Sequence, residues 1–139
     1  MIDQISIYTE NKRGSARAVF NLLAEKNINV LCFMNSDSGE FGTMRLIVSD
    51  TDTAMAELNE KGYMCKRDKV IAAVLDDEPG ALEKFLMLFE DMNINIEYMY
   101  ALCTKTDEAA IVIKPSDIEK AQTVLKDNGY TLFTDGDLF

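Results

Sequence analysis

The chain has 139 residues, of which 47% are hydrophobic and 27% charged, with a formal net charge of −10 and no histidine. That composition is of a soluble globular protein, and its acidic balance opposes nucleic acid and anionic membrane surfaces as partners, because both call for clustered Lys and Arg. Without histidine there is no Ser-His-Asp or Cys-His nucleophile, and the commonest zinc ligand is missing.

Three cysteines, Cys32, Cys65 and Cys103, sit far apart in apolar stretches. They read as reduced thiols, not as a disulfide framework or a metal cluster. The longest apolar run, Val70 to Leu75, is much shorter than a bilayer-crossing segment. No charged leader followed by an apolar stretch opens the sequence. The expectation is a cytoplasmic protein without cofactor or metal.

Gln4 to Tyr8 alternates polar and apolar residues, the period of a strand. A polar loop from Glu10 to Ser15 follows. Ala16, Val19, Phe20 and Leu23 then recur at i, i+3, i+4, i+7, so a helix begins at Gly14. Ile28 to Met34 is a second strand, and turn residues from Asn35 to Gly42 lead into a third, Thr43 to Val48. Gly39-Glu40-Phe41-Gly42 lacks the lysine and following helix of a phosphate loop and is a hairpin turn. A second helix, capped by Thr51 or Asp52, stops at Gly62, and Tyr63 to Lys66 is a short closing strand.

The second half reads the same way. Val70 to Leu75 is a strand, Asp76 to Ala81 a polar loop, and Leu82, Phe85, Leu86 and Phe89 mark a helix. Ile94 to Leu102 and Ala109 to Lys114 form a hairpin around Thr104 to Asp107. Ser116 with Glu119 three residues later is a capping-box pattern, opening a helix over Asp117 to Asp127 that Gly129 ends. Tyr130 to Phe133 closes the half as a last strand.

These halves are copies of one unit. An offset of 66 (80 − 14) places Gly80 on Gly14 and Asn93-Ile94-Asn95-Ile96 on Asn27-Ile28-Asn29-Val30. With one residue removed from the hairpin, Ile111-Val112-Ile113 falls on Leu46-Ile47-Val48 and Asp117 on Asp52. A longer second helix then carries Gly129-Tyr130 onto Gly62-Tyr63. The boundary lies near Arg67-Asp68, giving units 1–67 and 68–139 with no Pro, Gly or Ser-rich linker between them. Strand-helix-strand-strand-helix-strand, twice, is an α+β fold of two ferredoxin-like βαββαβ modules in tandem. Their antiparallel sheets carry the helices on one face and are expected to join into one continuous eight-stranded sheet.

The loops before the first helix of each unit are the candidate site. A helix start binds anions because its first amides lack intrahelical acceptors and the dipole adds positive charge. A ligand carboxylate therefore suits Gly14-Ser15 and Pro79-Gly80-Ala81, and Asp77 suits an ammonium group. The carboxamides of Asn11, Asn29 and Asn95 read either end of a zwitterion, while Arg13 either clamps a carboxylate or lies solvated. Singly, each feature is ordinary turn and cap chemistry. Together and twice, with an asparagine 15 residues after each loop glycine (29 − 14, 95 − 80), they describe a module.

Asp76-Asp77-Glu78-Pro79-Gly80-Ala81-Leu82 followed by Asn93-Ile94-Asn95-Ile96 resembles the ACT family of amino-acid-binding regulatory domains, over essentially the whole chain as a tandem pair. The resemblance implies a ligand where two modules meet, touching Asn11, Gly14 and Asn29 of the first and Gly80 and Asn95 of the second. Asp77 departs from it by standing in place of a loop asparagine, and Lys12-Arg13 occupies the positions of Glu78-Pro79. Family members regulate catalytic domains, which implies a stand-alone, non-catalytic sensor of a free amino acid or similar zwitterion acting on a separate partner protein, with homodimer formation open.

Two alternatives stand beside it. A ligand-free assembly module would pair through sheet edges with itself or an enzyme subunit. An enzyme would have to work with carboxylates and tyrosines alone, which makes it the weakest of the three. The triplet Asp76-Asp77-Glu78 is a solvated loop charge more readily than a cation site, because three adjacent carboxylates do not converge on one ion.

Overall fold

A computed structural model describes residues 1–139. Its backbone divides into two units, Asp3–Asp68 and Lys69–Phe139 together with Met1–Ile2. In the first, β1 (Ile2–Glu10) leads through a loop to α1 (Ser15–Glu25), then to the hairpin of β2 (Val30–Ser38) and β3 (Phe41–Val48), to α2 (Thr51–Glu60), and into β4 (Met64–Leu75). β3 pairs antiparallel with both β1 and β2, placing Leu46 opposite Ile5 on one side and Phe33 on the other. Alternation then puts Ile5, Ile7, Met44 and Leu46 on one face of the strands, where they meet Val19 and Leu23 of α1 and Leu58 of α2 as a fully buried core.

The second unit repeats this plan with the later part of β4, α3 (Ala81–Asp91), β5 (Ile96–Ala101), β6 (Ala109–Pro115), α4 (Ile118–Asp127) and a short α5 (Asp135–Leu138). Ile71 lies opposite Ile113, and both join Phe85, Phe89, Ala121 and Leu125 in the core. The Phe85 ring packs 5.2 Å from those of Phe89 and Tyr130. Fully burying one such ring contributes on the order of 2 to 3 kcal/mol.

The hydrogen-bonded strand order is β2-β3-β1-β4-β6-β5, six strands and not the eight expected. Two expected strands, Tyr63–Lys66 and Val70–Leu75, are one 12-residue strand, β4. Nothing between them breaks extended backbone, since Cys65 to Lys69 contains neither Gly nor Pro. The expected last strand reduces to a single bridge from Leu132 to Ala73, flanked by hydrogen bonds from Val74 N to Thr131 O and from Phe133 N to Ala72 O. Thr134 then stops it, because its amide and hydroxyl both donate to the Asp137 carboxylate, at 2.8 and 2.9 Å, where α5 begins.

The register also revises the repeat. Leu46 is opposite Ile5 and Ile113 opposite Ile71, so the copies shift from an offset of 66 (71 − 5) to 67 (113 − 46): the second hairpin is one residue longer, not shorter. The same 67 carries Asp117 onto Asp50 and Gly129 onto Gly62. Accordingly the caps differ from those expected. Asp50, not Thr51 or Asp52, caps α2 through the Thr53 amide, and Asp117, not Ser116, caps α4 through the Lys120 amide. Ser49 and Ser116 instead accept hydrogen bonds from the amides of Asn29 and Asn95.

One ion pair ties first-unit elements together. The Arg67 guanidinium on β4 donates to Asp3 of β1 at 2.6 Å and also to Asp52 at the start of α2. Both carboxylates raise the affinity of Arg67 for its proton. No helix is long and apolar enough to cross a membrane.

Candidate functional site

The loop between β1 and α1 is built by one glycine. Gly14 adopts φ 87°, a left-handed conformation that side-chain-bearing residues avoid, and turns the chain directly into the helix. Gly80 does the same before α3 at φ 85°. Neither helix has a side-chain cap, whereas α2 and α4 are capped by aspartates. The first amide of α1 and of α3 turns back on its own loop, Ser15 N donating to Lys12 O and Ala81 N to Glu78 O at 3.2 Å, so it is the amides just after them that are left to solvent or to a ligand.

Beside each of these turns lies a cleft. In the first unit it has a volume of about 470 Å³ and is lined by the loop from Thr9 to Ser15 and, on the opposite wall, by Gly62-Tyr63-Met64. Its counterpart in the second unit, about 390 Å³, lies between Asp76, Glu78 and Ala81 on one side and Gly129-Tyr130-Thr131 on the other. A further polar hollow of about 360 Å³ opens between the first loop and the β2–β3 hairpin, with Asn11, Ser15, Asn35 and Asp37 on its walls.

Both glycine-tyrosine walls come from helix termination. Gly62 and Gly129 sit at φ 83° and 82°, and the Tyr63 and Tyr130 amides bond back to Leu58 O and Leu125 O, the closure of a Schellman motif. Each tyrosine covers the core on one side and faces the cleft on the other. Sequence reasoning saw this repeated Gly-Tyr pair only as a helix stop. What it lacked was the knowledge that the stop lies beside the β1–α1 loop.

Asn11, Arg13, Gly14 and Ser15 are brought together at the first cleft and the adjoining hollow. Asn11 has a structural task as well: its amide donates to Glu40 O at 2.7 Å and its carboxamide to Gly39 O at 2.8 Å, fastening the loop to the hairpin turn. Lys12 pairs with Glu10 at 2.9 Å, both well exposed. In the second unit Asp77, Pro79 and Gly80 are exposed and Ala81 is half-buried, on the cleft wall.

Asn29 and Asn95 lie elsewhere. Val30 pairs with Val48, while Glu10 pairs with Phe41 at the other end of β3. Seven residues (48 − 41) at about 3.4 Å each separate the two rows by about 24 Å. Within a unit, then, the asparagine and the loop glycine stand at opposite ends of the strands, and the same holds for Asn95 and Gly80. The repeated Asn-Ile-Asn has a local explanation. Asn27 and Asn93 take φ 56° and 57° to end α1 and α3, and the buried Ile28 and Ile94 close those ends with amides bonded to Leu23 O and Phe89 O. Asn29 and Asn95 exchange backbone bonds with Ser49 and Ser116, their side chains exposed.

No group of three His, Cys, Asp or Glu residues is arranged to hold a metal. Cys32 is buried and Cys103 exposed, while burial pushes the Cys65 thiol up, away from the thiolate form.

All 139 residues match the family model described as "ACT domain pair". The chain belongs to the ACT domain pair family. Among solved structures, this ACT pair is 34% identical to protein BT0572 from Bacteroides thetaiotaomicron, covering 99% of this chain and 94% of that one with a TM-score of 0.90. The ligand-free regulatory subunit of aspartate kinase from Thermus thermophilus is 22% identical, with 89% and 87% of the two chains covered and a TM-score of 0.64. The corresponding subunit from Thermus flavus is 20% identical over 89% and 88%, at 0.61. These two share the fold. None of the curated proteins matches the ACT pair.

Proposed function

We propose that this ACT pair is a non-catalytic regulatory protein that binds a free amino acid or similar zwitterion at its strand-to-helix loops and passes the binding event to a partner protein. The observation that carries the reading is the twice-repeated cleft in which an uncapped helix start, opened by a left-handed glycine, faces a tyrosine wall. Helix-start amides suit a carboxylate. In this reading the contacts come from Asn11, Arg13, Gly14 and Ser15 in the first loop and from Asp77, Pro79, Gly80 and Ala81 in the second. Asn29 and Asn95, about 20 Å or more from the loop of their own unit, serve strand geometry there. Membership of the family and the fold shared with regulatory subunits of aspartate kinase agree with such a role.

Ligand binding to the folded state alone raises stability by about 2.7 kcal/mol at a hundredfold excess over Kd, roughly 10 °C in melting temperature for a chain of this size. A melting screen against the twenty amino acids at millimolar concentration is expected to return at least one such shift. A flat screen contradicts the proposal.

A second reading, assembly without ligand, draws support from β2 and β5, which end the strand order and so have one unpaired edge each. Phe33 on β2 is 58% exposed. Substituting Phe33 by Lys is expected to leave sedimentation unchanged if the ligand reading holds. Loss of an oligomer would favour the assembly reading.

A further inference from the structure

The two clefts occupy matching places in their units yet carry opposite charge. In the first, Glu10, Lys12 and Arg13 sum to +1 among the lining side chains. In the second, Asp76, Glu78 and Lys84 sum to −1. Position by position, Glu78 stands where Lys12 does (78 − 12 = 66), Pro79 where Arg13 does and Ala81 where Ser15 does. The first cleft thus has a guanidinium beside its helix start and the second has none, its lining cation being the Lys84 ammonium and its hydroxyls those of Tyr130 and Thr131. Lys12 is engaged by Glu10 at 2.9 Å, so Arg13 supplies the net positive charge.

We infer that the clefts are not equivalent: the first takes the carboxylate-bearing ligand, and the second, though shaped alike, rejects it, so that one amino acid binds per chain with its carboxylate against Arg13 and the start of α1. This rests on the amino-acid reading given above and adds its location and stoichiometry. Backbone geometry does not discriminate, because Gly14 and Gly80 have nearly the same φ and both helix starts lack a side-chain cap. Discrimination therefore falls to the side chains. Two unit charges of difference near an anion, screened by water, amount to roughly a tenfold preference. A guanidinium fork adds bidentate geometry that Pro79 has no means to supply.

The inference is tested by titrating the ¹⁵N-labelled full chain with each of the twenty amino acids and following the amides of Gly14 and Ser15 against those of Gly80 and Ala81. The expected result is a saturable shift at Gly14 and Ser15 at concentrations roughly tenfold below any shift at Gly80 and Ala81. Arg13→Glu is expected to abolish it and Arg13→Lys to weaken it only in part. The same spectra report whether each variant is folded. In the converse variant, Glu78→Lys with Pro79→Arg, the second cleft is expected to bind. A shift at Gly80 and Ala81 as early as that at Gly14 and Ser15 overturns the inference while sparing the amino-acid reading. No shift at either pair with any amino acid overturns both.

Discussion

Gly14 sets the turn from β1 into α1 through its left-handed backbone. A Cβ added there would meet nothing within 4 Å, so the penalty for replacing it comes from backbone conformation alone. Gly14→Ala is expected to lower stability by about 1 to 2 kcal/mol, and Gly14→Asn by less, because asparagine tolerates the left-handed region. Chemical denaturation of the two variants checks this, and equal losses would contradict it. Arg67 holds two carboxylates, one of them the nearly buried Asp3. Arg67→Met is expected to cost about 1 to 3 kcal/mol through the loss of charge-assisted hydrogen bonds. A neutral outcome would show that the pair gives geometry without net stability. Individual residues were only partly legible in the sequence. Gly14 and Gly80 announced their turns, whereas the backbone duties of Asn29 and Asn95 emerge only once Ser49 and Ser116 are seen opposite them.

Among the elements, the helices separate into two kinds. α2 and α4 start on aspartate caps, as scaffold helices do, and α1 and α3 start uncapped beside clefts. The Asp50 carboxylate accepts from the Thr53 hydroxyl at 2.6 Å and the Thr53 amide at 3.0 Å, which holds its pKa below the ordinary carboxylate value. Asp137 at α5 is lowered in the same way by Thr134. A carboxylate whose pKa falls on folding stabilises the native state above its unfolded value, near 4, and that contribution is lost as pH drops through the lowered folded value. Melting temperature is therefore expected to fall on acidification below about pH 4, and less steeply in Asp50→Ala. An unchanged slope would contradict the assignment. In the second-unit core, Phe85→Ala is expected to cost about 3 to 5 kcal/mol, since its fully buried ring packs on both Phe89 and Tyr130. Helices and hairpins were legible because amphipathic spacing and turn residues mark them. Caps were misplaced by one or two residues, because Asp50, Thr51 and Asp52 are all competent and only geometry selects among them.

On the scale of the whole chain, duplication was legible and strand count was not. Repeated Gly, Asn-Ile-Asn and Gly-Tyr at nearly constant offsets identify two copies, and the family match over residues 1–139 agrees. Periodicity shows where backbone is extended, but not that Met64–Lys66 and Val70–Leu75 join into one strand, nor that Leu132 makes only a bridge. The clefts were half legible: their loop walls lie within one short segment, and their tyrosine walls arrive from some 50 residues further along the chain. The proposed role requires that this ACT pair retain a free amino acid. Equilibrium dialysis of the chain at about millimolar concentration against each of the twenty radiolabelled L-amino acids tests it most directly. At least one is expected to be retained in proportion to protein, saturating near one per chain; no retention of any of them would contradict the account.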